Sequence, residues 1–275
     1  MSKKIVLITG STDGIGFQTA LELANKGHKI ILHGRNEEKA TATLTELSNL
    51  IKNPDLDFVY GDLASLHEVF NLSERIKSIF PKLDVLINNA GIYANDFRLS
   101  VDGYELTFAV NHLAHFLLTL NLLPLLKKSG TARIINVSSV AHKRGRIDFN
   151  NLKGENDFNA YAAYAQSKLA NVLFSNLLAD KLNGTNVTSN SLHPGVITTK
   201  LLKSGFSMSG ASLKDGAVTS VYLAVAEEVQ NISGKYFDNK IEVPCSSLAR
   251  DKSLQEDLWD FSINAVNKFQ SESWK

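Results

Sequence analysis

The chain has 275 residues, 44% of them hydrophobic, enough for one large core. A formal net charge of +1 gives no global electrostatic case for nucleic acid or for an acidic membrane surface as partner. The single cysteine, Cys245, cannot form an internal disulfide, so nothing calls for an oxidising compartment.

Residues 4–8 form a short apolar run, as expected for a strand buried on both faces, and no long apolar segment of a signal peptide precedes it. A glycine-rich turn follows, then a helix over residues 15–25 that Gly27 ends as a C′ glycine. Residues 28–33 read as a second strand, 37–50 as a charged amphipathic helix, 57–60 as a third strand and 66–79 as a third helix. A fourth strand is expected at 84–87, a long helix at 108–127, a fifth strand at 132–137, a helix at 161–182 and a sixth strand at 186–192. The longest apolar stretch, 116–126, is interrupted by Asn121 and Pro124 and falls short of the ~20 residues that span a bilayer. Residues 200–213, rich in Gly, Ser and Met, lack periodicity and read as a loop over a site. Alternating strands and helices imply right-handed crossovers, hence an α/β fold: a single-domain, Rossmann-like, doubly wound parallel sheet flanked by helices. The expected division is a dinucleotide-binding core over 1–198, a substrate loop over 199–215 and a C-terminal part over 216–275. A soluble protein of the cytoplasm, with no transmembrane segment, is the simplest expectation.

The chemistry is concentrated at strand ends. Gly10, Gly14 and Gly16 fall between the first strand and helix, in the segment Gly10-Ser11-Thr12-Asp13-Gly14-Ile15-Gly16. Without Cβ atoms the backbone can approach a pyrophosphate, and the helix N-terminus offers oriented N–H groups. The same segment could be an ordinary tight turn. After the second strand the chain reads His33-Gly34-Arg35-Asn36, with no carboxylate to accept ribose hydroxyls and with an Arg suited to a 2′-phosphate. NADP(H) is therefore expected over NAD(H), a preference that Asp13 moderates. Asp62-Leu63 follows the third strand, where the carboxylate either caps the next helix or accepts from an adenine amino group. Asn88-Asn89-Ala90-Gly91 ends the fourth strand. Its Asn side chains can tie strand ends together, and Ala90 and Gly91 leave room for ribose and nicotinamide.

Tyr164 and Lys168 are four residues apart and project from one helix face. A free tyrosine ionises near ~10. A neighbouring ammonium and a cationic nicotinamide favour the phenolate and lower that value. Ser139 closes the fifth strand, where its hydroxyl can hold a substrate oxygen or simply cap a turn. Asn111, a poor helix former in mid-helix, needs partners, and a water-mediated link to Lys168 would supply them. His112, His115, His142 and His193 lack acidic partners at ligand spacing, so no metal is expected.

These elements, from Thr9 to Thr199, together resemble the short-chain dehydrogenase/reductase family. The resemblance implies Tyr164 as general acid/base, Lys168 as its activator, Ser139 as ligand of the substrate oxygen and Asn111 as relay. It further implies dinucleotide contacts from Pro194, Gly195, Ile197 and Thr199, the last two at the nicotinamide amide. Runs at 110–119, 137–142, 167–174, 193–196 and 234–237 are similar to the retinol dehydrogenase and WW-domain oxidoreductase branch. That branch implies NADP(H) and lipophilic carbonyl or alcohol substrates. A dinucleotide-sensing regulator or scaffold on the same fold is the alternative, although such relatives often lose the tyrosine or lysine. A homodimer through the helices at 108–127 and 161–182 is expected by analogy. An apolar stripe of Leu254, Leu258, Phe261, Ala265 and Phe269 is expected to pack a C-terminal helix on the body of its own subunit.

Overall fold

A computed structural model describes residues 3–154, 157–206 and 208–269. Eight strands form one sheet: β1 (Ile5–Ile8), β2 (Lys29–Gly34), β3 (Asp55–Tyr60), β4 (Val85–Asn88), β5 (Ala132–Val137), β6 (Val187–His193), β7 (Tyr236–Asp238) and β8 (Ile241–Glu242). Their order is β3-β2-β1-β4-β5-β6-β7-β8, parallel throughout except for the antiparallel β7/β8 pair. The chain winds outward from β1 to β3, then restarts on the other side of β1 with β4. The connections therefore diverge between β1 and β4, and a crevice opens at their carboxyl ends.

Helices cover both faces, as two-sided burial of the strands requires. Along β1, Leu7 points into one apolar layer while Val6 and Ile8 point into the other. Helices α1 (Gly14–Asn25), α2 (Glu37–Leu50) and α8 (Leu213–Val225) pack the second layer through Leu23, Leu47 and Leu223. The first layer is filled by α3 (Leu66–Ile79), α5 (Ala114–Lys127), α6 (Ala160–Lys181) and α9 (Lys252–Val266). Local chemistry fixes the helix starts. Asp13, Asn36, Ser65 and Asn159 cap α1, α2, α3 and α6, and Ser212 with Asp215 forms a capping box on α8. At the other end of α1, Gly27 takes φ +85°, the left-handed conformation that its expected stop position demands.

The long central helix is not uniform. A three-residue α4 (Leu106–Phe108) passes into a π-helical turn at Ala109–Leu113 before α5 begins. Asn111 lies inside that wide turn. By length and composition the continuous segment Leu106–Lys127 could cross a membrane, which corrects the shorter apolar stretch read from the sequence; 94% of its most apolar window is buried in the body of the protein.

Two further differences have physical causes. Residues 200–213 are not structureless: Lys200–Phe206 form helix α7, Ser207 lies outside the described residues, and Ala211 bridges Ile197 in parallel fashion. Strands β7 and β8 were not expected, because three and two residues are too few to show a period. The C-terminal helix packs on the helices at 108–127 and 161–182. Trp259 of α9 stacks on Phe174 of α6 at 6.1 Å and meets Phe116 of α5 edge-on at 5.1 Å, while His112 and Ser262 are 2.9 Å apart. Leu258 is buried, and Leu254, Phe261, Ala265 and Phe269 pack against the same layer, as the C-terminal stripe led one to expect.

Candidate active site

The crevice at the switch point is a cleft of about 980 Å³. Its floor begins with the glycine turn after β1. Gly10 has φ +61°, and a Cβ on Gly16 would stand 2.3 Å from the Gly10 carbonyl oxygen and 2.4 Å from Asn89 Nδ2. Both positions therefore need glycine, one for its conformation and one for close approach. The turn is tied to β4: Asn89 Nδ2 donates to the carbonyls of Thr9 (2.8 Å) and Gly10 (3.2 Å), and Thr9 Oγ1 accepts from the N–H groups of Asn89 and Ala90. Asn88 does the expected tying one strand further on, donating to Asn136 Oδ1 and Thr119 Oγ1 at 2.9 Å each. Gly10, Thr12, Asp13, Gly14, Ile15, Gly16, Asn89, Ala90 and Gly91 all line the cleft.

At the far end lie Arg35, Lys39 and Asp62, with Leu63 beside them. Arg35 Nε and Asp62 Oδ1 are 4.0 Å apart on the surface. Asp62 Oδ1 also accepts from Ala64 N, whereas Ser65 performs the capping of α3 that Asp62 could have performed. Two expected contacts do not face the cleft. Ser11 is fully buried, its hydroxyl accepting from His33 N at 2.8 Å. Asn36 spends its side-chain oxygen on Lys39 N at 3.0 Å as the cap of α2. His33, which sequence reasoning passed over, joins three strands. Its Nδ1 accepts from Gly10 N (3.1 Å), which leaves Nε2 to donate to the Gly61 carbonyl (3.1 Å). Burial pushes its pKa down to about 4, so the neutral tautomer is the working form.

The remaining side chains gather at the ends of β4, β5 and β6. Tyr164, Lys168, Ser139, Pro194, Gly195, Ile197 and Thr199 line the cleft. Tyr164 and Lys168 are both buried, and Lys168 Nζ is 5.6 Å from the Tyr164 ring centre. That ammonium donates to the Val137 carbonyl at 3.0 Å. Ser139 Oγ accepts from Ala141 N at 3.2 Å, and its side chain also hydrogen-bonds Tyr164. Asn111 sits one layer behind the cleft wall. Its Oδ1 accepts from Ile92 N (2.8 Å), and its Nδ2 donates to the Ile92 carbonyl and to Ser167 Oγ (3.0 Å each). It therefore has direct partners, which the expected water link to Lys168 was invoked to supply. Lys168 remains close by: a Cβ placed on Gly91 would lie 3.4 Å from Lys168 Nζ and 3.6 Å from Asn111 Oδ1.

Two titrations run opposite to one another. Burial pushes Tyr164 up to about 12, opposed by its hydrogen bond with Ser139, and burial pushes Lys168 down to about 8. The expectation that the ammonium depresses the phenol is not met by the polypeptide alone, because loss of water penalises both charged forms. No cluster of metal-ligating side chains occurs among the described residues. His115 Nδ1 donates to the Asn111 carbonyl at 3.1 Å and its Nε2 accepts from Thr9 Oγ1 at 2.9 Å. Sequence reasoning also missed Lys143, Arg144, Tyr161, Leu201 and Phe206, all in the cleft wall. For Leu201 and Phe206 the only signal was their place within 200–213, read as a loop over a site.

A parallel sheet with a glycine cradle at its switch point, and a Tyr/Lys pair facing it, defines a nicotinamide-dependent dehydrogenase class. The short-chain dehydrogenase family profile matches residues 4–210, and the chain belongs to that family. Within it, the chain lies in the retinol dehydrogenase branch: it is 42% identical to human retinol dehydrogenase 13 over 279 residues, 96% of this chain and 84% of the relative. Among solved structures, an uncharacterised protein of Mycobacterium paratuberculosis superposes with a TM-score of 0.82 at 31% identity, covering 97% of this chain and 94% of that one. A short-chain dehydrogenase of Escherichia coli, complexed with NADPH, gives a TM-score of 0.72 at 26% identity, covering 88% and 98%.

Proposed function

We propose that this protein is an NADP(H)-dependent oxidoreductase that interconverts a lipophilic aldehyde or ketone and its alcohol. The observation that carries the reading is the convergence of Tyr164, Lys168 and Ser139 on one cleft with the glycine cradle. The cradle fits a dinucleotide, since Gly10 in the turn and Gly14 and Ile15 at the start of α1 line the cleft, and Gly16 lets the turn close on itself without a Cβ. Arg35 and Lys39 are suited to a 2′-phosphate, Asp62 to the adenine, and Pro194, Gly195, Ile197 and Thr199 to the nicotinamide end. When bound, the nicotinamide supplies or accepts the hydride. A bound NADPH in the bacterial relative and the name of the human one support the cofactor and the reaction class.

Tyr164 gives its proton to the substrate oxygen in the reductive direction. A phenol raised to about 12 is protonated at neutral pH, which is the form an acid needs. Ser139 holds the same oxygen and orients the phenol. Lys168, anchored on Val137, stabilises the tyrosinate left behind and holds the ribose hydroxyls. Asn111 positions the Ile92 backbone at the cleft wall and, with water, carries protons towards Lys168. The aromatic rings of Tyr161 and Phe206 and the side chain of Leu201 give the substrate an apolar wall. We take residues 1–275 as one domain, supported by β7 and β8 joining the C-terminal part to the common sheet, and the protein as acting in the cytoplasm.

A panel of aldehydes, ketones and alcohols, followed by the absorbance of the reduced nicotinamide with both cofactors, tests the reading. Turnover of a carbonyl or alcohol class with NADP(H) is the expected result. Tight dinucleotide binding with no turnover across the panel would favour a sensor instead.

A further inference from the structure

The outer part of the cleft carries charge that hydride chemistry does not use. Lys143 and Arg144 end a 3₁₀ turn, Val140–Arg144, that begins directly after Ser139, and both line the cleft. Both are exposed, and neither has an ion-pair or hydrogen-bond partner among the described residues. The only carboxylates in the described cleft wall, Asp13 and Asp62, already face Lys200 (2.5 Å) and Arg35 (4.0 Å). Those pairs belong to the dinucleotide end. The turn after β5 stands three strand spacings from the end of β2, about 14 Å at ~4.8 Å per strand. Lys143 and Arg144 are thus separate from the Arg35 and Lys39 that suit a 2′-phosphate.

Their surroundings are those of a substrate end. Tyr161, Tyr164, Leu201 and Phe206 supply an apolar, aromatic surface in the same cleft, with Phe206 5.9 Å from the Tyr164 ring and 6.1 Å from Tyr161. His193, in the cleft wall, is held below its usual pKa by burial, against the opposing charge of Asp238, with Lys143 and Lys168 adding smaller contributions in the lowering direction. A neutral lipophile filling this space would strip water from two cations and return nothing to them. An anionic group would compensate both, Arg144 through its planar fork and Lys143 as a point charge.

We propose that Lys143 and Arg144 select substrates whose apolar body meets Tyr164 at one end and carries an anionic group, such as a carboxylate, at the other. The proposal rests on the oxidoreductase reading and narrows its substrate class to amphipathic acids.

The probes are para-carboxybenzaldehyde and its neutral methyl ester, with NADPH. Wild-type protein should favour the acid in kcat/KM. The double variant Lys143→Gln, Arg144→Gln should lower the acid-to-ester ratio by about tenfold, the scale of losing charge-assisted contacts at a partly wet rim. A ratio unchanged in the double variant, or a wild-type preference for the ester, overturns the proposal. Should neither aldehyde be reduced, the oxidoreductase reading is decided by the wider panel of aldehydes, ketones and alcohols. Calorimetry of both compounds on NADP-loaded protein then decides the anion claim separately. Tighter binding of the acid that is lost in the double variant supports it, and equal Kd values for acid and ester overturn it.

Discussion

Replacing His33 by asparagine separates a hydrogen bond from a titration. The asparagine oxygen can still accept from Gly10 N, as His33 Nδ1 does at 3.1 Å, but the donor to the Gly61 carbonyl is lost. Leaving that carbonyl unpaired costs about 1–3 kcal/mol at neutral pH. The variant also lacks an imidazole that burial has pushed from 6.5 to about 4. Between those two values the unfolded chain binds the proton and the folded chain refuses it. The stability tied to neutral His33 is therefore whole above 6.5 and is lost progressively as the pH falls towards the folded value of about 4. Linkage with these values gives a loss of roughly 2 kcal/mol between about pH 7 and about pH 5 from this residue alone. His112 and His115, each pushed by burial to about 3, add slopes of the same sign in both proteins, and those cancel in the comparison. Urea unfolding at the two pH values measures it. Wild type should lose roughly 2 kcal/mol more than His33→Asn on acidification. Equal losses in the two proteins would refute the neutral-tautomer role of His33.

Tyr164→Phe keeps the ring packed against Tyr93 and Phe206 and removes only the acid, so turnover should fall by roughly 10²–10⁴-fold while fluorescence titration finds NADPH affinity nearly intact. Ordinary turnover would remove Tyr164 from its role. Arg35→Glu should weaken NADPH far more than NADH, read as the ratio of their Kd values, because the guanidinium at the end of β2 is exchanged for a second carboxylate beside Asp62. Trp259→Ala should cost roughly 3–5 kcal/mol in denaturant unfolding, since the ring is buried against Phe116 and Phe174. A variant within the error of wild type would mean that α9 is not part of the core.

The fold was legible wherever a local rule was long enough to repeat. The strands of the parallel core are four to seven residues of apolar-rich sequence, and the helices between them carry caps and stops, so both appeared in outline from residue order alone. Strands β7 and β8 carry no such signal, and helix α7 is only seven residues long with Gly205 near its end. The site was legible for the same reason. Its glycines, Asn89, Ser139, Tyr164 and Lys168 sit at strand ends or on one helix face, and the doubly wound topology brings strand ends together. Where partners are distant, reading from sequence failed. Nothing near Ser11 marks its bond to His33, nothing near Asn36 distinguishes a cap from a ligand, and the partners of Asn111 lie 19 and 56 residues away. Nor can a motif report that burial shifts Tyr164 upward rather than downward, since the residues packed around it, Tyr93, Ala141, Leu201 and Phe206, come from distant stretches of the chain.

The wide turn at Ala109–Leu113 makes chain length as important as residue identity in this stretch. A π turn accommodates one residue more than the α-helix would in the same span, so a single deletion there would let the helix heal into regular winding. Every side chain upstream would then rotate by about 100° relative to α5, taking the carboxamide of Asn111 off Ile92 even though no amino acid at that position had changed. A homologue lacking one residue in this segment would therefore need another group to hold that part of the cleft wall, whatever its overall similarity.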